Sequence, residues 1–277
     1  MKFAICNETY QDLDWPFERQ CEHVATCGYD GIEIAPFTFN PDPSLITPAQ
    51  AREIGKTASR AGLELVGMHW LLAKPAGLHI TTPEDDVRRR TVAFLEHLAR
   101  LLGEMGGGVM VHGSPAQRDL VEGDTYDQAF DRATGVFRQF AQVAEQAGVT
   151  IALEPLGPAE TTFMVTVEET VHLMRAIDHP ACRLHLDVKA MCQEDKPIDQ
   201  LIAENARHTA HFHANDANRR GPGFGQTDFV PIAKALKDVD YDKYVSVEVF
   251  DYSPDAQTIA HDSLTYLKKT FSQVGAI

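Results

Sequence analysis

Val149-Thr-Ile-Ala-Leu-Glu154 is the first of four similar segments, followed by Cys182-Arg-Leu-His-Leu-Asp187, Thr209-Ala-His-Phe-His213 and Tyr244-Val-Ser-Val-Glu248. Each is a short, largely apolar run that ends in a side chain able to ligate a metal. The last residues are 33, 26 and 35 positions apart, a spacing typical of one strand and one helix. In a parallel barrel these side chains would converge at the carboxyl ends of the strands, where barrel active sites lie. The pattern predicts one divalent cation bound by Glu154, Asp187, His213 and Glu248.

The alternation of a short apolar run with a longer stretch of helical periodicity extends over all 277 residues. Eight such units predict an α/β fold, a single (β/α)8 TIM barrel that spans residues 1–277 without a domain boundary. A doubly wound open sheet is the alternative, but no G-x-G-x-x-G turn follows the first strand. The predicted strands are Phe3–Cys6, Gly31–Ala35, Leu63–His69, Val109–His112, Val149–Glu154, Arg183–Asp187, Ala210–His213 and Val245–Val249.

Several helix ends are also marked in the sequence. A hydroxyl residue followed by proline predicts a capped helix start at Thr47-Pro-Ala-Gln, Thr82-Pro-Glu-Asp and Ser253-Pro-Asp-Ala. Glycines just ahead of the next strand are expected to end helices in a left-handed conformation. These are Gly28, Gly62, Gly106 and Gly148.

Composition restricts the class of protein. With 44% hydrophobic residues and no apolar run of the roughly 20 residues that span a bilayer, a membrane protein is not expected. Five cysteines without a C-x-x-C pair, and an amino terminus that is interpreted as the first strand rather than a secretory signal, favour a cytoplasmic protein with reduced thiols. A net charge of −15 disfavours nucleic acids and anionic membranes as partners and favours a small molecule. A homo-oligomer is left open, because no stripe of residues marks an interface.

Side-chain alternation supports a cation at the strand ends. If the four predicted ligands face the barrel interior, so do the residues two positions earlier. Those residues are Ala152, His185, His211 and Ser246. The intervening positions, expected to pack against helices, are Leu153, Leu186, Phe212 and Val247.

The types of ligand predict the kind of ion. Three neighbouring carboxylates would repel one another without a cation. Carboxylate oxygens with a single imidazole suit Mn²⁺, with Co²⁺ or Mg²⁺ as alternatives, better than they suit structural zinc. The competing interpretation is four unrelated polar strand ends.

The motifs Glu154-Pro-Leu, His185-Leu-Asp187, His211-Phe-His213-Ala-Asn-Asp and Ser246-Val-Glu248 resemble the xylose-isomerase-like TIM-barrel superfamily of sugar isomerases and epimerases. Within it, the chain is most similar to ketose 3-epimerases of the tagatose and psicose type. The resemblance implies that the four predicted ligands bind one Mn²⁺ or Co²⁺. It also implies that Glu154 and Glu248 form a catalytic acid–base pair, which transfers protons next to a carbonyl through a metal-stabilised enediolate.

Candidate substrate contacts come partly from this resemblance and partly from position. The resemblance assigns sugar binding to Glu160 and Arg219. His185, His69 and His112 are expected at the same face, and each has the alternative of a hydrogen-bonded core or loop histidine. His211 is interpreted as a core residue.

One position departs from the family pattern. Family members carry a histidine where this chain has Ala190. Lys189, one residue earlier, is a candidate to replace that contact, and the alternative is an exposed loop lysine. The departure bears more on the identity of the substrate than on the mechanism.

Three other functions compete with an epimerase. A dehydratase acting on a keto-sugar or keto-inositol could use the same metal and base, if the substrate carries a β-hydroxyl leaving group. An apurinic-site endonuclease shares the superfamily fold, but it needs more metal-binding histidines and a basic groove. A non-catalytic sugar-binding barrel would have no use for paired ligating carboxylates.

Overall fold

Eight strands form the centre of the computed structural model, which describes residues 1–277. They are β1 (Lys2–Cys6), β2 (Gly31–Ile34), β3 (Glu64–Met68), β4 (Val109–His112), β5 (Thr150–Leu153), β6 (Cys182–Asp187), β7 (Thr209–Ala214) and β8 (Tyr244–Val247). Each strand pairs in parallel with the next along the chain, and β8 pairs with β1 to close the barrel. The predicted TIM-barrel fold is therefore confirmed.

Helices surround this barrel. They are α1 (Phe17–Cys27), α2 (Pro48–Arg60), α3 (Asp85–Met105), α4 (Tyr126–Gln146), α5 (Val167–Ile177), α6 (Val188–Met191), α7 (Ile198–Asn205), α8 (Phe229–Asp238) and α9 (Ala256–Gln273). Short 3₁₀ turns cover Asn7–Tyr10, Pro36–Thr38 and Pro43–Leu45. None of the helices combines the length and the apolar character required to traverse a bilayer.

The predicted strand positions are confirmed, with small differences at the ends. Glu154 and Glu248 lie one residue beyond β5 and β8, rather than inside them. Their backbone N–H groups still donate to the carbonyls of His112 and Ala214 on the neighbouring strands, each at 3.3 Å. The barrel ladder thus continues to hold the backbone of both glutamates.

The predicted helix ends are partly correct. Thr47 caps α2 through a reciprocal pair of hydrogen bonds with Gln50, as predicted. The predicted starts at Thr82 and Ser253 are wrong, because α3 begins at Asp85 and α9 is capped by the carboxylate of Asp255. The predicted glycine stops are confirmed by positive φ angles at Gly28, Gly62, Gly106 and Gly148.

Two apolar layers separate the inside of the barrel from its outside. Small side chains fill the barrel interior beneath the strand ends, namely Ala4, Val66, Val109, Val111 and Ala152. The layer between strands and helices contains, as predicted, Leu153, Leu186, Phe212 and Val247. The upper interior is left to polar side chains, and that is where the candidate site lies.

Candidate active site and metal centre

Ten titratable side chains meet at the carboxyl ends of the strands, and each is at most 5% exposed. They are Cys6, Glu8, Glu33, His69, Glu154, His185, Asp187, His211, His213 and Glu248. So many charged and polar groups in a barrel interior require partners, because an isolated buried charge is strongly unfavourable.

The structure brings the four predicted ligands together. Glu154, Asp187 and His213, with His185 added, each offer a donor atom, and these atoms lie within 4.8 Å of one another. Glu248 joins them through its Oε2, which is 3.1 Å from Nδ1 of His213. Three of the predicted ligands therefore face one point together with His185, and Glu248 lies beside them through its contact with His213.

In this group, His185 is the residue whose ring nitrogens lack hydrogen-bond partners. Its ring is fully buried, yet neither ring nitrogen has a hydrogen-bond partner. Nε2 lies 3.9 Å from Oε1 of Glu154, and the ring stands edge-on to His213 with 4.2 Å between centroids. An unpartnered imidazole among converging carboxylates is suited to a cation, so the residues fit the divalent ion that the sequence predicts.

The electrostatics of the carboxylates lead to the same conclusion. Burial, with the charges of Glu248 and Asp187, raises the pKa of Glu154 well above its ordinary value. Burial is also the main reason why the pKa of Asp187 is raised. For Glu248, burial acts in the same direction but is outweighed by His213, so the pKa of Glu248 is lowered. A divalent ion would relieve the repulsion that raises the first two.

Asp187 is held in place by hydrogen bonds from two directions. Its Oδ1 accepts from the backbone N–H of Ala190 at 2.8 Å, and this caps α6. Its Oδ2 accepts from the side-chain amide of Asn215 at 2.5 Å. Asn215 in turn accepts the N–H of Lys189 at 2.7 Å. Both oxygens are therefore oriented before any ligand binds.

Sequence reasoning missed two buried glutamates. Oε2 of Glu33 is 2.7 Å from Nε2 of His211, and Oε1 is 3.1 Å from Nε2 of His213. Oε2 of Glu8 is 2.6 Å from Nε2 of His69. The interpretation of His211 as a hydrogen-bonded core residue agrees with its contact to Glu33. The signal for Glu33 was present, because an acid inside the apolar run Gly31-Ile-Glu-Ile34 is unusual.

A small cavity opens above the predicted ligands. It is lined by His69, Trp70, Gly113, Pro115, Glu154, Leu156, Glu160, Glu248 and Phe250. Glu154 and Glu248 enter it from β5 and β8, two strands that are not adjacent in the barrel. A Cβ atom on Gly113 would lie 1.6 Å from Oε2 of Glu154, so an alanine at this position would displace that carboxylate.

Among the other predicted substrate contacts, His69 and Glu160 line this cavity, and Lys189 and Arg219 lie beside it, whereas His112 is an exception. Lys189 is buried, donates to Glu160 at 2.5 Å and lies over the ring of Phe250, 4.3 Å from its centroid. The guanidinium of Arg219 approaches the same ring at 5.7 Å. Lys189 is therefore not an exposed loop lysine.

His112 is the exception, and the structure corrects the prediction of a substrate contact there. In β4 it is Val109 and Val111 that face the interior, so His112 points towards the helices. Its ring packs edge-on against Phe137 of α4, 4.9 Å between centroids. Full burial, followed by the charge of Arg118, lowers the pKa of His112 to about 3. Nearby, Arg118 donates to the backbone carbonyl of Glu154 at 2.6 Å.

Comparisons with known proteins agree with this architecture. The family profile described as "Xylose isomerase-like TIM barrel" matches residues 21–270. A D-psicose 3-epimerase of Ruminiclostridium cellulolyticum is 28% identical over 249 residues, which cover 87% of this chain and 81% of that protein. A probable ketose 3-epimerase of Synechocystis sp. is 26% identical over 260 residues, covering 88% and 87%. A crystal structure of a D-psicose 3-epimerase, 20% identical, superposes with a TM-score of 0.85 over 98% of this chain and 99% of the other.

Proposed function

Because the chain belongs to the xylose isomerase-like TIM barrel family, we propose that it is a metal-dependent sugar epimerase that transfers protons at a carbon next to a carbonyl. Two relatives, a D-psicose 3-epimerase and a probable ketose 3-epimerase, support a sugar substrate. The observation that carries the proposal is the placement of Glu154 and Glu248. They line one cavity from β5 and β8, beside Asp187 and His213.

The residues that would hold the ion are Glu154, Asp187, His213 and Glu248, with His185 within reach. We propose Mn²⁺, with Co²⁺ or Mg²⁺ as alternatives, because carboxylate oxygens outnumber imidazoles among the four. When bound, such an ion polarises a substrate carbonyl and stabilises the negative charge that develops on it.

The two glutamates supply the proton transfers. Epimerisation removes a proton from one face of a carbon and returns a proton to the other face, so it needs two groups on opposite sides. A carboxylate oxygen of Glu154 or Glu248 accepts the first proton, and the other glutamate donates the second. Positioned acid–base groups of this kind contribute about 10²- to 10⁴-fold to a rate.

The rim of the cavity would orient the sugar. Glu160, Lys189 and Arg219 carry donors and acceptors suited to hydroxyl groups, and they surround the face of Phe250. We propose these three, with His69 and His185, as substrate contacts. Ala190 stands where family members carry a histidine, and Lys189 is one residue earlier, so a substrate other than a common free ketose is the first to test.

The experiment is a panel of ketoses, keto-glycosides and keto-inositols incubated with Mn²⁺-loaded protein in deuterated water and followed by NMR. We expect an epimeric product with deuterium at the inverted carbon. A product without deuterium would contradict the proton-transfer mechanism. An unsaturated ketone with its ultraviolet absorption would instead identify the dehydratase, which could use the same glutamates as base and acid.

Variants test the two glutamates separately. Glu154→Gln and Glu248→Gln are expected to lose at least about 10²-fold in turnover while remaining folded, because an amide cannot exchange the proton. Glu122→Gln changes an exposed acid that does not line the cavity, so it serves as the matched control and should retain full activity. A near-normal rate in either cavity variant would rule out the acid–base pair.

A further inference from the structure

We propose that the barrel contains a second divalent metal site, formed by Cys6, Glu33 and His69. These residues come from β1, from β2 and from the position directly after β3, in the first half of the barrel, and both Cys6 and Glu33 contact His213 of the predicted metal centre. The site goes beyond the proposed epimerase activity, and it assigns His69 to an ion in place of a substrate contact.

The geometry of the three side chains is that of a metal site. Each is at most 1% exposed, and one donor atom from each lies within 4.8 Å of the others. Nδ1 of His69 has no hydrogen-bond partner and lies 3.5 Å from Oε1 of Glu33. Two ligands bound about 2.0 Å from a tetrahedral ion stand roughly 3.3 Å apart, close to this separation. A hydrogen bond would bring the two atoms closer than they are.

The surroundings orient these donors as a metal site requires. Nε2 of His69 is 2.6 Å from Oε2 of Glu8. A ligating histidine usually donates its second N–H to a carboxylate in this way, which fixes the ring and leaves the other nitrogen for the ion. Oε2 of Glu33 is held by His211 at 2.7 Å, and Oε1 faces both His69 at 3.5 Å and Nε2 of His213 at 3.1 Å.

The thiol of Cys6 has no strong alternative partner. Outside the proposed site it contacts Oγ of Ser246 at 3.7 Å and Nε2 of His213 at 4.0 Å. Both are long for a hydrogen bond, even one to sulfur. A buried thiol next to an unpartnered imidazole nitrogen and a carboxylate is a ligand set for Zn²⁺ or Co²⁺, and it differs from the oxygen-rich set of the four predicted ligands.

Cobalt provides a direct test, because Co²⁺ bound to a thiolate gives an intense near-ultraviolet charge-transfer band that carboxylates and imidazoles do not give. Protein stripped with a chelator would be titrated with Co²⁺, and bound metal and absorption would be measured together. We expect two Co²⁺ per chain and the thiolate band. One Co²⁺ per chain without the band would overturn the proposal.

Variants separate the two sites. Cys6→Ser should bind one Co²⁺ per chain and lack the thiolate band. Asp187→Asn should bind one Co²⁺ per chain and retain the thiolate band. Cys192→Ser, which removes an exposed thiol, is the matched control and should keep both ions. A band that persists in Cys6→Ser would overturn the proposal. If that variant does not fold, His69→Gln carries the same expectation.

The outcomes are independent of the epimerase assay. Wild-type protein that shows the cobalt–thiolate band but turns over no sugar would contradict the proposed function and leave the second site standing. Wild-type protein that epimerises a sugar but binds a single ion without the thiolate band would support the proposed function and contradict the second site.

Discussion

Replacing Glu154 by glutamine should stabilise the metal-free protein and at the same time remove its stabilisation by metal. In the absence of an ion, burial and the charges of Glu248 and Asp187 raise the pKa of Glu154 well above 4.5. The folded protein must then keep this carboxyl protonated or tolerate the repulsion. Glutamine has nearly the same shape and carries no charge, so it avoids that penalty.

The size of the effect follows from the raised pKa. A carboxyl whose folded pKa lies above its unfolded value costs stability progressively as the pH rises above the unfolded value, by about 1.4 kcal/mol per pH unit, until the folded pKa is reached. With an ordinary value of 4.5, the greatest cost at pH 7 is about 3 kcal/mol. At pH 5 it is below about 1 kcal/mol. Bound Mn²⁺ offsets most of this cost, since a ligand at 100 times its Kd stabilises the wild type by about 2.7 kcal/mol.

The assay is thermal unfolding of wild type, Glu154→Gln and the surface control Glu122→Gln, each with chelator and with Mn²⁺, at pH 5 and pH 7. We expect the Tm of Glu154→Gln to exceed that of wild type by several degrees in chelator at pH 7, and by much less at pH 5. With Mn²⁺, only wild type and the control should gain stability. A Glu154→Gln protein that is less stable than wild type in chelator at pH 7 would refute the reasoning.

Three further substitutions test the surroundings of the site. Asn215→Ala removes the amide that orients Asp187, and we expect calorimetry to show a loss of about 10- to 100-fold in Mn²⁺ affinity. An unchanged affinity would show that Asp187 does not need this hydrogen bond. Gly113→Ala places a methyl group against the carboxylate of Glu154, and displacement of this carboxylate should lower kcat by about 10²-fold. A normal kcat would mean that the loop moves and leaves Glu154 in place. Lys189→Met keeps an aliphatic side chain over Phe250 but loses the hydrogen bond to Glu160. Steady-state kinetics should therefore show a higher KM with a smaller change in kcat. A large loss of kcat with an unchanged KM would instead assign Lys189 to the proton-transfer chemistry.

The second half of the barrel could be predicted closely from the sequence, because its strands end on the residues that matter. Asp187 is the last residue of β6, and Glu154 and Glu248 directly follow β5 and β8. Regular spacing and alternation were enough to predict that these side chains meet. The fold followed from the same alternation, since eight strand–helix units have few other ways to bury both faces of a parallel sheet.

The first half was harder to predict, because its functional positions are offset from the strand ends. Glu8 lies in a 3₁₀ turn beyond β1, and Glu33 lies one residue before the end of β2. His112 was misplaced for a related reason. In a strand as short as β4, an error of one residue exchanges the inner and outer faces, and the sequence does not determine which face the last residue takes.

The distribution of contacts around His213 also could not be derived from the sequence. Its Nδ1 contacts Glu248 and its Nε2 contacts Glu33, from β8 and β2 on either side. Strand order predicts that these residues are near one another, but only coordinates show which ring nitrogen meets which carboxylate. That detail links the predicted metal centre to the residues of the first three strands.

Anomalous diffraction from crystals grown with Mn²⁺ tests the metal centre most directly. A peak at the manganese edge within bonding distance of Glu154, Asp187, His213 and Glu248 is the expected result. A strong peak elsewhere on the molecule, with these four side chains bonded only to one another or to water, would contradict the account.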